Sequence, residues 1–291
     1  MVRRKGSTLG LSKMSKKSLW DQIQNIDKRI FYWILFIGLM VPYISPLGLP
    51  VAVTPSTQAY FDKLNSLPAG SVVVLSINSG VSAWGDCLPA MTATVKLIVQ
   101  KNLKLVVWGM GQVDIDLTWA KIQSQVPALG TTYKYGTDFV YFGYIPSQET
   151  TISLLRDNIR GVFPQDKNGT PIDNIPMMKS ITGAKDIAAV CSSDTADVQT
   201  YYVKLWKNGP TNTPVAELGI AMNKSGDMPY FLSGDEFGLV AGSRGGAELE
   251  KLAGALGDGT VTMDAINISH ILIVLAIILA NIAYFVTRGK K

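Results

Sequence analysis

The sequence predicts an α/β domain built on a mostly parallel, open, doubly wound sheet, with a transmembrane helix at either end. Three observations carry this expectation. Strand-type apolar runs alternate with longer stretches of three-to-four-residue apolar spacing, the pattern of strands linked by covering helices. Those strand-type runs are apolar almost without interruption, as strands buried on both faces should be. Residues 30–53 and 265–287 contain no charged side chain, and each exceeds the roughly 20 residues that a helix needs to cross about 30 Å of hydrocarbon.

Taken in order, residues 1–29 form a basic tail in which Ser18, Leu19, Ile23, Ile26 and Ile30 suggest a short amphipathic helix on the membrane surface. Residues 30–53 follow as the first span, with Pro42, Pro46 and Pro50 kinking or unwinding its outer third. The apolar run is longer than the core of a cleaved leader, so an anchor that stays in place is expected. The domain occupies residues 54–264. Val72–Ile77 is its first strand, introduced by the turn signal Pro68-Ala69-Gly70, and residues 88–100 form a helix through Leu88, Met91, Val95 and Ile98. Residues 103–108 make a second strand, 117–126 a short helix and 139–145 a third strand. A helix over 149–163 stops at Pro164, a fourth strand covers 187–191, and a helix over 196–206 ends at Asn208-Gly209-Pro210. Residues 215–222 form a fifth strand and 236–256 a last, glycine-rich helix. The arrangement is doubly wound and Rossmann-like, with any site expected outside the carboxyl ends of the strands. The second span is 265–287, and residues 288–291 form a basic tail.

Charge sets the expected topology. Eight basic residues precede the first span against two acids, and three basic residues follow the second. Short basic flanks remain cytoplasmic, which puts both termini inside and the central domain outside. The remaining 16 basic and 20 acidic residues leave the middle of the chain near −4, although the whole carries +5. The basic character therefore belongs to the membrane flanks, and the domain has no electrostatic footprint for nucleic acid. Polar Asn267, Ser269, His270 and Asn281 in the second span point to packing on the first span or on neighbouring copies.

The possible chemistry is narrow. The single histidine, His270, lies at the membrane boundary, which removes histidine-based nucleophilic catalysis and imidazole-ligated zinc from the domain. Carboxylates do follow strand ends: Asp86 after the first, Asp114 and Asp116 after the second, Asp194 and Asp197 after the fourth, and Asp235 with Glu236 after the 229–233 run. Converging at one rim, Asp86, Asp114, Asp116, Asp194 and Asp235 would suit Ca²⁺ or Mg²⁺; acting as caps and turn residues, they would bind nothing. Residues 78–82, Asn-Ser-Gly-Val-Ser, resemble in part the metal-binding loop of von Willebrand A-type domains. Asparagine stands where that loop begins with aspartate, and the second serine is displaced by one, so no ligand set is carried over. Gly109-Met110-Gly111 lacks the third glycine of a dinucleotide turn and has Asp114 at that offset. No cofactor is expected.

Cys87 and Cys191 fall at the same end of the sheet, either bonded across an oxidising compartment or as two separate buried thiols. Asn168 and Asn223 begin glycosylation tripeptides in turn-like contexts, and Asn267 begins a third beside the membrane. Gly238, Gly242, Gly245 and Gly246 strip the last helix of bulk. Glycine costs up to about 1 kcal/mol per helical position, so close approach of the sheet or a neighbouring protomer is the expected purpose, with an anion-binding loop around Arg244 as the alternative. The functional expectation is a non-enzymatic two-span protein of the cell membrane, with the bilayer, other copies of itself or membrane-protein partners around it. The alternatives are an extracytoplasmic ligand-binding or sensory module and a metal-dependent enzyme using rim carboxylates.

Overall fold

The computed structural model describes residues 20, 26–146, 149–196 and 198–288. Most of the expected amphipathic pattern near residue 18, and Asp197, lie outside them. The chain divides into two units: Met1–Val41 with Ala265–Lys291, and Pro42–Asp264.

The larger unit contains six parallel strands: β1 (Val72–Ile77), β2 (Lys104–Gly109), β3 (Phe139–Tyr144), β4 (Ala189–Asp194), β5 (Val215–Gly219) and β6 (Leu239–Ala241). Their order is β3-β2-β1-β4-β5-β6, so the winding reverses between β1 and β4, which pair from Val73↔Ala189 to Ile77↔Ser193. This is the expected doubly wound α/β sheet. Every residue of β1 is buried, because the sheet is covered on both faces. Val73, Leu75 and Ile77 enter one core with Tyr60, Met91, Ile98, Ile122 and Leu249. Val72 and Val74 enter the other with Trp108, Ile152, Leu155, Tyr202 and Trp206. The alternation follows from the two-residue period of a strand.

The first face is covered by α2 (Pro55–Asn65), α3 (Trp84–Gln100), α4 (Ile115–Gln125) and α9 (Gly242–Leu252), and the second by α5 (Glu149–Asp157), the single turn α6 (Ile159–Val162) and α7 (Val198–Tyr202). After α7 the chain makes a π-helical turn, Val203–Lys207, and α8 (Lys224–Ser233) lies between β5 and β6. The helix expected over 149–163 is thus split at Asn158, whose side chain caps α6 by accepting the Gly161 N–H at 3.2 Å.

Two further differences from expectation have clear causes. The residues 236–256 are not one helix. Residues 239–241 form β6, pairing with β5 at Glu217↔Leu239, and Gly242, at φ +65°, turns the chain into α9. Helix α2 was not anticipated: Tyr60 and Leu64 are its fully buried apolar residues, too sparse a stripe to stand out beside the span that precedes it.

In the smaller unit, α10 (Asp258–Arg288) enters as 31 helical residues, with a mean hydropathy of 2.3 over its most apolar 18-residue stretch. Among the described residues it is the one helix long and apolar enough to cross a membrane. The stretch expected as the first span is helical only over α1 (Lys28–Ile44), 17 residues with Pro42 inside the helix, and residues 46–53, which contain Pro46 and Pro50, have no regular secondary structure. Gly38 of α1 faces Leu272 and Ile268 of α10, where a β-carbon would lie 3.0 Å and 3.1 Å from their side chains.

Candidate functional site at the carboxyl rim of the sheet

Asn78, immediately after β1, organises the winding reversal. Its backbone N–H donates to Ser193 O at 2.8 Å, its Nδ2 donates to Ser192 Oγ at 3.0 Å, and its Oδ1 accepts the Met110 N–H at 3.0 Å. One buried carboxamide thus joins the ends of β1, β2 and β4. Beside it, the Ser79 and Ser193 hydroxyls meet at 2.5 Å.

The turn that would receive a phosphate in a nucleotide-binding sheet is filled from within. Asp114 Oδ2 accepts the Val81 N–H at 2.9 Å, and a β-carbon on Gly80 would lie 2.6 Å from Asp114 Oδ1. Gly109 and Gly111 serve backbone approach: β-carbons there would meet Ile77 O at 1.9 Å and Asn78 O at 2.6 Å.

The carboxylates singled out from the sequence are dispersed. Asp86 receives the Ala221 N–H at 3.4 Å. Asp116 pairs with Lys167 Nζ at 2.7 Å and accepts from the Tyr141 hydroxyl, lining an open cleft of about 390 Å³ with Trp119, Gln123 and Tyr135. Asp235 accepts from Asn208 Nδ2 at 3.0 Å and Ser233 Oγ at 2.8 Å. Asp194 accepts the Ala196 and Gln199 N–H groups at 2.8 and 2.9 Å at the start of α7. Among the described residues, no three His, Cys, Asp or Glu side chains are placed to hold a metal ion.

Two of the acids named from the sequence, Asp194 and Glu236, do come together, with Glu217 and Asp227, which were not named. Asp194, Glu217, Asp227 and Glu236 interact through space at the carboxyl ends of β4 and β5. Burial and then the Glu236 charge push Glu217 up to about 10. Burial, followed by Asp227, pushes Glu236 up to about 8. Burial also raises Asp194 to about 6, against the pull of the α7 backbone N–H groups. Two carboxyls are therefore neutral at pH 7 because water is absent and like charges are near. Glu217 was legible in principle, as an acid inside the apolar run Val215-Ala216-Glu217-Leu218.

Cys87 and Cys191 are both free and buried, each pushed up to about 12 by desolvation. The structure thus has the two separate thiols and not the disulfide. Gly238, just before β6, and the glycines of α9 serve packing within the chain. A β-carbon on Gly246 would meet Pro89 Cβ at 2.6 Å, one on Gly238 would meet Tyr60 Cα at 2.7 Å, and one on Gly245 would lie 3.0 Å from Val240. Arg244 is engaged with Glu248 at 3.0 Å. Asn168 is exposed in a turn, and Asn223 precedes α8.

Missed altogether by sequence reasoning was a set of acids that fasten the two connecting segments. Asp264, 1 % exposed, accepts the N–H groups of Leu47, Gly48 and Leu49 at 2.7, 2.9 and 2.8 Å. Glu250 accepts the N–H groups of Gly257, Gly259 and Thr260 at 3.0, 2.9 and 2.7 Å. Glu248 accepts both the N–H and the hydroxyl of Thr54, at 2.9 and 2.7 Å. No protein-family model, curated protein or solved structure matches the chain.

Proposed function

We propose that the chain is a two-span protein of the cell membrane, both termini cytoplasmic, whose extracytoplasmic α/β domain assembles laterally or scaffolds partner membrane proteins without catalysing a reaction. The observation that carries this reading is the fastening of both connecting segments. Asp264 holds residues 47–49 through three N–H groups, so the chain entering the domain and the chain leaving it are joined to each other. Hydrogen bonds to a charged acceptor contribute about 1.5–3 kcal/mol each, and a domain so joined has little freedom at its two exits. That suits a protein whose purpose is to present a surface in register with its neighbours.

The membrane placement is supported by the apolar surfaces of the helical unit. Trp33, Phe36, Ile271, Leu275 and Phe285 are each at least half exposed, an arrangement stable in lipid and not in water. Gly38 against Leu272 is consistent with that reading, because small residues let spans approach closely.

The test combines topology with mass. A cysteine at exposed Ser225 should react with an impermeant maleimide on intact cells, whereas one at Ser7 should react only after lysis. The purified protein in mild detergent should run as a discrete oligomer or carry stoichiometric partners. Labelling of Ser7Cys from outside, or a bare monomer, overturns the reading. A sensory role has one observation in its favour, the neutral acid cluster at the rim.

A further inference from the structure

Helix α8 is an odd cover for the rim. Asp227 is its one buried residue; Tyr230 is only partly buried against the core, and Leu232 is 74 % exposed. Beneath Asp227 lie Glu217, from β5, and Glu236, from the segment leading to β6, at 0 % and 1 % exposure. As carboxylates, Glu217 and Glu236 receive no hydrogen-bond donor on either oxygen, and nor does Oε1 of Gln199. Gln199 is itself 1 % exposed, and its Nε2 reaches Asp227 Oδ1 at 3.4 Å, so its carboxamide is aimed into the cluster. Glu217 lies within reach of Asp227, and two carboxyl groups bond to each other only if one carries a proton.

Among the described residues, no cation acts on Glu217 or Glu236. From β4 comes Asp194, occupied by the α7 N–H groups; from the end of α8 comes Asp235, occupied by Asn208 and Ser233 and near Lys207. Among the described residues, the charges acting on Glu217 and Glu236 are all acidic. Nor are three of these acids placed to hold a metal. Buried carboxyls without a counter-charge persist only as neutral acids.

We propose that Glu217, Asp227 and Glu236 form a proton-held latch that keeps α8 shut over the carboxyl ends of β4 and β5, and that removing those protons swings residues 222–236 outward. Ionisation puts like charges into a dry site, beneath a helix whose apolar residues Met228, Tyr230 and Phe231 are only partly buried. Burial and the neighbouring acids hold Glu236 up to about 8 and Glu217 up to about 10, so release occurs on the alkaline side of neutrality. Gly234, at φ +81°, ends the moving helix. The uncovered floor lies at the carboxyl ends of β4 and β5, beside the β1–β4 winding reversal where doubly wound sheets take their ligands.

Hydrogen exchange on the full chain in lipid nanodiscs, at about pH 6.5 and about pH 9 and corrected for chemical exchange, tests the latch. The 222–236 amides should lose protection at least about tenfold at the higher pH, the factor per pH unit for one released proton, while β1 and β2 remain protected. A Glu217→Gln, Glu236→Gln double variant should keep its protection at both values, because an amide does not ionise. Equal wild-type protection at both values, or equal loss in the variant, overturns the proposal. Should the variant not fold, infrared titration of the wild type decides instead. A carboxylic-acid carbonyl band must be present at neutral pH and disappear on alkaline titration, and its absence at neutral pH sinks the latch.

Discussion

Asp264 shows how much one side chain can do when its geometry matches the backbone. Three consecutive N–H groups, of Leu47, Gly48 and Leu49, converge on its two oxygens, and Gly48 adopts φ +64° to permit it. Replacing Asp264 with alanine removes the acceptor of all three donors, and because Leu47 and Gly48 are exposed, water can take its place in part. At about 1–3 kcal/mol for each unsatisfied group, softened by partial rehydration, an overall loss of about 2–4 kcal/mol is expected in denaturant unfolding. Asn should recover part of it, since it keeps one acceptor oxygen. Nothing in the local sequence distinguishes Asp264 from any acid ahead of an apolar helix. Its partners are more than 200 positions away, beyond any periodicity or motif. Cys87 and Cys191 failed to be settled for the same reason: Cys87 sits by the Asp194 carbonyl at the end of β4, whereas Cys191 lies in mid-strand opposite Leu75. The expected shared end of the sheet gave way because β4 runs three residues further, to Asp194.

Among the elements, those whose signal is local were read correctly, and those made by contact were not. β1 and β2 declared themselves by unbroken valine and leucine runs, and α3 by its apolar spacing. β6 is the contrary case. Its three residues are preceded by Gly238, which is there because Tyr60 of α2 lies against it; without α2 in view, the glycines read as part of one long helix. Gly238→Ala should therefore be costly although alanine favours most secondary structure. The new β-carbon would lie 2.5 Å from Tyr60 Cβ and 2.9 Å from Tyr60 N, and backbone atoms cannot rotate away. Overpacking of this kind costs about 1–3 kcal/mol, measurable as a lowered unfolding midpoint. Gly226→Ala, where no atom lies within 4 Å of the added carbon, should be close to neutral and serves as the control.

For the whole molecule, the sequence made the doubly wound class legible and named two members of the acid cluster, Asp194 and Glu236, but not their convergence with Glu217 and Asp227, because the four come from separate segments. The cluster gives the domain an unusual dependence on pH. Glu236 and Glu217, near 8 and 10 when folded, start from a model value of 4.5, so between those limits the folded state holds protons that the unfolded chain releases. Stability is then fully present at mildly acidic pH and is lost as pH rises, by about 1.4 kcal/mol per pH unit for each proton retained. Urea midpoints measured from about pH 6 to about pH 9 should fall steadily, and Glu217→Gln should flatten the slope; a constant midpoint in the wild type rules the effect out. The fastening of the connecting segments has a mechanical corollary. Glu248, Glu250 and Lys251, which grip residues 51–54 and 257–260, all belong to α9. Tension arriving along either connector meets first the Asp264 link between the two and then that one short helix, and the sheet behind would be spared until both gave way.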